Sequence, residues 1–111
     1  MARTAIPGGI KGVEDGTEAD ANGFGHVTIM MLGTAASASV AVTVGDTSGS
    51  LAACPESDLI DPATGDPVTL SGGDGDIQFA SYIGPCRYVE ATGTNATAVV
   101  ILGEARMTGS E

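Results

Sequence analysis

The chain has 111 residues, four of them basic and 14 acidic, so its formal net charge is −10. Such a surface repels a phosphate backbone, which argues against double-stranded nucleic acid as a direct ligand. A chain of this length forms one domain with a modest core, and two Phe, two Tyr and no Trp leave that core to aliphatic side chains. Seventeen Gly and five Pro favour many turns over long helices.

Membrane and export signals are not recognisable. No apolar run approaches the ~20 residues that span a bilayer, and no polybasic segment suited to binding anionic lipid is recognisable. The first residues also lack the apolar centre of a signal peptide. We therefore expect no membrane partner, and a protein made and kept in the cytosol unless it leaves inside an assembly released by lysis.

The first 22 residues show neither helical nor strand periodicity and mix Pro7 and several glycines with acidic side chains. They predict an extended N-terminal arm, residues 1–22, before a single domain, residues 23–111. Two interpretations stay open: a frayed terminus, or an arm whose residues 2–13 dock on a partner subunit. The candidate partner contacts are the apolar and basic residues of the arm together with a cation near the C-terminus: Arg3, Ile6, Pro7, Ile10, Lys11 and Arg106.

From residue 23 onward, side-chain alternation and turn residues predict about seven short strands with turns every 8–12 residues. A helix competes around Ala35 because Ala is the best helix former, but the β-branched residues that follow favour a strand. This spacing is typical of an antiparallel sandwich or barrel. The predicted strands are 26–32, 38–44, 51–54, 68–70, 76–83, 86–92 and 96–107.

Two strands carry the predicted core. Residues 38–44 alternate cleanly, with Ala38, Val40, Val42 and Val44 facing inward. Residues 96–102 are apolar on both faces, which predicts a strand covered on both sides. In the segment 76–83 the larger apolar side chains share one face, which we assign to the interior. The side chains predicted to be buried are Val40, Val42, Phe79, Ile83, Val99 and Ile101.

No catalytic or cofactor motif stands out, and we expect a protein that is not an enzyme. His26 is the single histidine, and it has no evident nucleophile or orienting partner. The acidic residues Asp58 to Asp76 offer oxygen ligands for adventitious Ca²⁺, although a solvated loop face is favoured. Cys54 and Cys86 are too few for a disulfide framework. Free thiols are favoured, with a Cys54–Cys86 bond as the alternative if the protein matures outside the cell.

The segment 78–106 resembles small virion proteins of tailed bacteriophages. The matching features are the Tyr82-Ile83-Gly84 turn, the Arg87-Tyr88-Val89 start of a strand, a Thr/Gly-rich turn, and the Ala/Val-rich final strand from Ala98 to Gly103. The likeness extends as a pattern over about residues 23–107. Cys86 and the long acidic arm depart from that pattern.

The resemblance implies a jelly-roll-like β-sandwich that decorates the outer surface of a capsid and carries no catalytic residues. Its partners would then be the major capsid protein and itself, as a homodimer, with no cofactor. The alternative is a carbohydrate- or ligand-binding β-sandwich, for which a tail or fibre is one location, although two tyrosines supply a poor stacking platform for a sugar. A small hydrolase is a remote third class.

Overall fold

The computed structural model describes residues 10–104. In that range the chain forms ten β-strands and one 3₁₀ turn, Glu56–Asp58, with no other helix. The strands are β1 Ile10–Val13, β2 Ala19–Asp20, β3 Phe24–Gly33, β4 Ala38–Gly45, β5 Ala52–Ala53, β6 Leu59–Ile60, β7 Ser71–Gly72, β8 Ile77–Tyr82, β9 Tyr88–Thr94 and β10 Ala96–Glu104.

The strands make two antiparallel sheets that pack face to face. The first sheet has the order β1-β10-β3-β8-β6, and the second has the order β2-β9-β4-β5, with β7 also paired to β4. Neighbouring strands in the chain often lie in opposite sheets, as β3 and β4 do, and as β9 and β10 do. The predicted all-β antiparallel sandwich is confirmed.

The core lies between the two sheets and consists of small and aliphatic side chains with one tyrosine. The inward faces of β3 and β10 supply Ile29, Met31, Val100 and Leu102, each fully buried. The predicted inward face of β4 is correct: Ala38, Val42 and Val44 are buried, and Val40 packs against them. Val99 and Ile101, which we also predicted to be buried, are only half-buried.

The burial predicted for Phe79 and Ile83 is wrong. Phe79 is 47% exposed and Ile83 is 58% exposed, whereas Ala80 and Tyr82 point into the core. The alternation in this strand was recognised correctly, but the two faces were exchanged, because a shift of one residue moves every side chain to the other face. Pairing with β3 sets the face by placing Ala80 opposite the buried Ile29.

Most strand boundaries differ from the predicted ones by one or two residues. The strand predicted at 86–92 runs from Tyr88 to Thr94, and Asn95, at φ 53°, alone connects it to β10. The segment 68–70 does not form the predicted strand, although Leu70 is buried and its carbonyl accepts a hydrogen bond from the Val40 N–H. Residues 105–107 of the last predicted strand lie outside the described residues.

The second half of the predicted arm belongs to the sandwich. β1 pairs residue for residue with β10, and Ala19 in β2 pairs with Val89 of β9. Val13 and Ala19 are buried in the core. The prediction that residues 2–13 dock on a partner rather than on their own domain is therefore wrong for residues 10–13, and residues 2–9 lie outside the described range.

Asp15 joins the connection between β1 and β2 to the corner where β9 leads into β10 in the other sheet. Its Oδ2 atom accepts hydrogen bonds from the backbone N–H groups of Gly93 at 3.0 Å and Ala98 at 2.9 Å. The Gly16 N–H in turn donates to the Ala91 carbonyl at 2.9 Å. One carboxylate thus satisfies two backbone donors near the β9–β10 connection.

Candidate interaction face and the adjoining groove

The outward side of the first sheet carries mostly apolar side chains, with Thr28, Ser81 and Thr97 among them. Strand pairing aligns its side chains in rows, one of which runs Val99, Met30, Phe79, while the next joins Leu32 to Ile77. We call these outward aliphatic and aromatic residues the apolar face. Its members are Met30, Leu32, Ile60, Ile77, Phe79, Ile83, Val99 and Ile101.

The apolar face is large and open to solvent. Ile77, Phe79 and Ile83 are each about half exposed, and Leu32 is 36% exposed. Four strands spaced about 4.8 Å apart and six residue steps of about 3.3 Å give a flat footprint of about 400 Å² for this part of the sheet, Thr28 and Ser81 included. This size matches the largest apolar patch on a typical monomer, which is often functional.

The outward side of the second sheet is polar. The pairs across β4 and β9 there are Ser39 with Thr94, Ala41 with Thr92, and Thr43 with Glu90. By contrast, the outward side chains described on β3, β8 and β10 include no Asp, Glu, Lys or Arg. The two outer surfaces of one sandwich therefore differ in chemistry, one polar and the other mostly apolar.

A groove opens where β3 extends beyond β8. β3 pairs with β10 along its whole length to Phe24, but its pairing with β8 stops at Thr28 opposite Ser81. The chain after β8 then turns away through Gly84 and Pro85. The resulting groove, of about 720 Å³, is lined by residues 21–28 and 81–87 and adjoins the apolar face at Ile83.

An ion pair lies at one side of the groove. Arg87 donates from Nε and from Nη2 to the two carboxylate oxygens of Asp20, each at 2.9 Å, and its guanidinium lies 5.0 Å from the centroid of the Tyr88 ring. The hydrogen bonds from Arg87 lower the pKa of Asp20 to about 2, and the same contacts raise the pKa of Arg87. Both side chains are 48% exposed, so solvent screens the pair.

Tyr82 forms part of the groove lining while its ring is buried. Its hydroxyl oxygen accepts a hydrogen bond from the Cys86 N–H at 3.2 Å, and burial raises its pKa. Gly84 lies so close to this hydroxyl that an added Cβ would collide with it. The Tyr82 hydroxyl therefore secures the turn that shapes one wall of the groove.

Cys54 and Cys86 are both free thiols and both half-buried against the core. Burial is the main cause that raises the pKa of Cys54 to about 11, with smaller contributions from Asp58 and Cys86. The Cys54 thiol donates to the Pro55 carbonyl at 3.4 Å. A thiol with this pKa stays protonated at neutral pH and is a poor nucleophile or metal ligand.

The predicted partner contacts are only partly within the described range. Arg3, Ile6, Pro7 and Arg106 lie outside it. Ile10 and Lys11 occupy the edge strand β1, where Lys11 is exposed. Their contact with a partner stays a prediction. The apolar face escaped the sequence analysis, although its signals were present in the apolar residues on both faces of 96–102 and in the alternation of Ile77, Phe79 and Ile83.

Within residues 10–104 no group of three or more His, Cys, Asp and Glu side chains is placed to hold a metal ion. His26 is exposed at the rim of the groove. The same range contains no helix long and apolar enough to cross a membrane.

Comparisons with known proteins give no relative. No family model matches the chain, no curated protein matches it, and no solved structure matches it.

Proposed function

We propose that the chain is a structural binding protein, a capsid decoration protein that attaches to the outside of a phage head through its apolar face. The observation that carries the proposal is the difference between the two outer surfaces. In this arrangement the apolar face contacts the shell, and the polar, acidic sheet faces solvent. Each copy then stabilises the head by burying an interface, and the effect is repeated over many copies.

The strand order supports a jelly roll as the finer description of the fold. Without β6 and β7, which have two residues each as β2 and β5 do, the sheets are β1-β10-β3-β8 and β2-β9-β4-β5. Pairing the first strand with the last, and the second with the last but one, is the arrangement obtained when a long antiparallel hairpin is rolled into two sheets. Jelly rolls serve in viral capsids and in lectins, so the fold fits both functions weighed from the sequence.

The test mixes the purified chain with heads assembled from the major capsid protein of its phage. We expect the wild-type chain to sediment with the heads and to raise their resistance to heat. Phe79→Lys, which places a charge in the apolar face, should lower binding by at least about tenfold because an unpaired charge must be desolvated. Thr92→Lys, on the polar sheet, is the matched control and should bind normally. Wild-type protein that fails to bind the heads would overturn the proposal.

The groove favours a second candidate, a module that binds a small ligand such as a sugar. Its volume of about 720 Å³ lies within the range of small-molecule sites. The half-buried Phe24 is the aromatic side chain that it offers for stacking, since the Tyr82 ring is in the core. Two results together would support this candidate over the first. The chain would bind a sugar on a glycan array, with the signal abolished by Phe24→Ala, and it would not bind phage heads.

A further inference from the structure

We propose that, in the absence of a shell, two copies of this chain cover each other's apolar face in a face-to-face dimer. This proposal goes beyond the proposed function and uses the same surface. Attachment to a shell through that face would then require the dimer to separate, so self-association and docking would compete.

The charge distribution limits where a second copy can dock. Each chain carries a net charge of −10, so two copies repel each other wherever acidic surfaces meet. At the apolar face two copies can approach without placing carboxylates in contact, because the outward side chains described on β3, β8 and β10 include no Asp, Glu, Lys or Arg. Two identical apolar surfaces can associate without charges of opposite sign.

The geometry suits a symmetric pair. Two sheets pack about 10 Å apart with interdigitating apolar side chains, which is the arrangement already present inside each sandwich. A two-fold axis that lies in the plane between the two faces would place the row of Val99, Met30 and Phe79 against the same row of the second copy. The dimer would therefore be a four-layer stack of sheets with polar outer surfaces.

The area of the apolar face determines how strongly two copies are expected to associate. Two flat footprints of about 400 Å² bury about 800 Å² of surface together. Because protruding side chains have more surface than a flat footprint, the buried area comes near the ~1,000 Å² at which specific protein interfaces begin. We infer a weak dimer, one that separates on dilution and leaves the face free for a larger partner.

The test measures the mass of the purified chain, without any particles, by sedimentation over about a hundredfold range of concentration, since dilution shifts such an equilibrium. We expect the mass to rise from 10.9 kDa toward twice that value. Phe79→Lys and Ile77→Lys should remain monomeric, whereas Thr92→Lys should dimerise like the wild type. Circular dichroism verifies that each variant is folded.

A second measurement needs no variant. A soluble paramagnetic probe should broaden the methyl signals of Ile77 and Val99 strongly in dilute wild-type protein and weakly in concentrated protein. A monomer at every concentration would overturn the proposal, as would a dimer that Phe79→Lys and Ile77→Lys leave intact. Because no heads are present, failure of the dimer and failure of capsid binding are observed separately.

Discussion

Phe79 and Leu102 lie on opposite sides of the same sheet, and their burial decides what their removal costs. Leu102 is fully buried, so Leu102→Ala should lower the free energy of unfolding by about 2–5 kcal/mol through lost burial and a cavity. Phe79→Ala should cost about 1 kcal/mol, because the ring is 47% exposed in the single chain. Urea unfolding of dilute protein measures both. Equal costs would contradict the observed orientation of β8.

Asp15 shows how one side chain in a turn can join two strands that lie in different sheets. Asp15→Ala would leave the Gly93 and Ala98 N–H groups without their acceptor, and we expect it to lower the free energy of unfolding by about 1–3 kcal/mol. Asp15→Asn keeps an acceptor oxygen and should cost less. Glu14→Ala, at the exposed neighbouring position, is the control. If it destabilised the chain as much as Asp15→Ala, the hydrogen bonds would not be the cause.

The Asp20–Arg87 pair predicts a pH dependence with a definite sign. Asp20 has a pKa of about 2 in the folded chain, lowered first by its hydrogen bond with Arg87 and then by the Asn22 N–H. A lowered folded pKa means that the stabilisation is present above the ordinary value near 3.8 and is lost as the pH falls through about 2.

A titration of the carboxyl carbon by NMR can check this assignment. Asp20 should titrate with a midpoint near 2 in the wild type, and Arg87→Gln should move that midpoint upward toward the ordinary value without reaching it, because the Asn22 hydrogen bond remains. An unchanged midpoint in Arg87→Gln would show that Arg87 is not the main cause of the shift.

At the scale of elements, β1 tests whether the start of the described chain is part of the fold. We expect removal of residues 2–13 to lower the free energy of unfolding by about 2 kcal/mol or more relative to removal of residues 2–9, because Val13 is buried and the β10 edge would lose its pairing. Thermal and urea unfolding of the two truncated chains measure the difference. Equal stability would mean that β1 contributes nothing to the sandwich.

The predicted strands show which local signals sufficed. β4 was assigned correctly in extent and in orientation because its two faces differ plainly, valine on one and small polar residues on the other. β8 was assigned correctly in extent only, since both of its faces carry apolar side chains. β1 and β2 were missed because strands of four and two residues amid glycine and acidic residues have no periodicity to recognise.

At the scale of the molecule, the net charge of −10 opposes every association between copies. Raising the salt concentration from about 50 mM to about 500 mM shortens the screening length from about 14 Å to about 4 Å, so the face-to-face dimer should tighten. Sedimentation of the wild type at the two salt concentrations gives the two dissociation constants. A dimer that weakens with salt would indicate that ion pairs, rather than the apolar face, hold the copies together.

The all-β class, the acidic surface and most strand positions could be predicted from the sequence, because side-chain alternation, turn residues and charge are local properties. The sequence also contains the residues of the apolar face. Three features required the folded structure: Phe79 and Ile83 point outward, residues 10–20 join the sheets, and a groove opens beside Phe24. The reason is physical: alternation separates two faces of a strand, but only pairing with strands distant in the chain determines which face is buried.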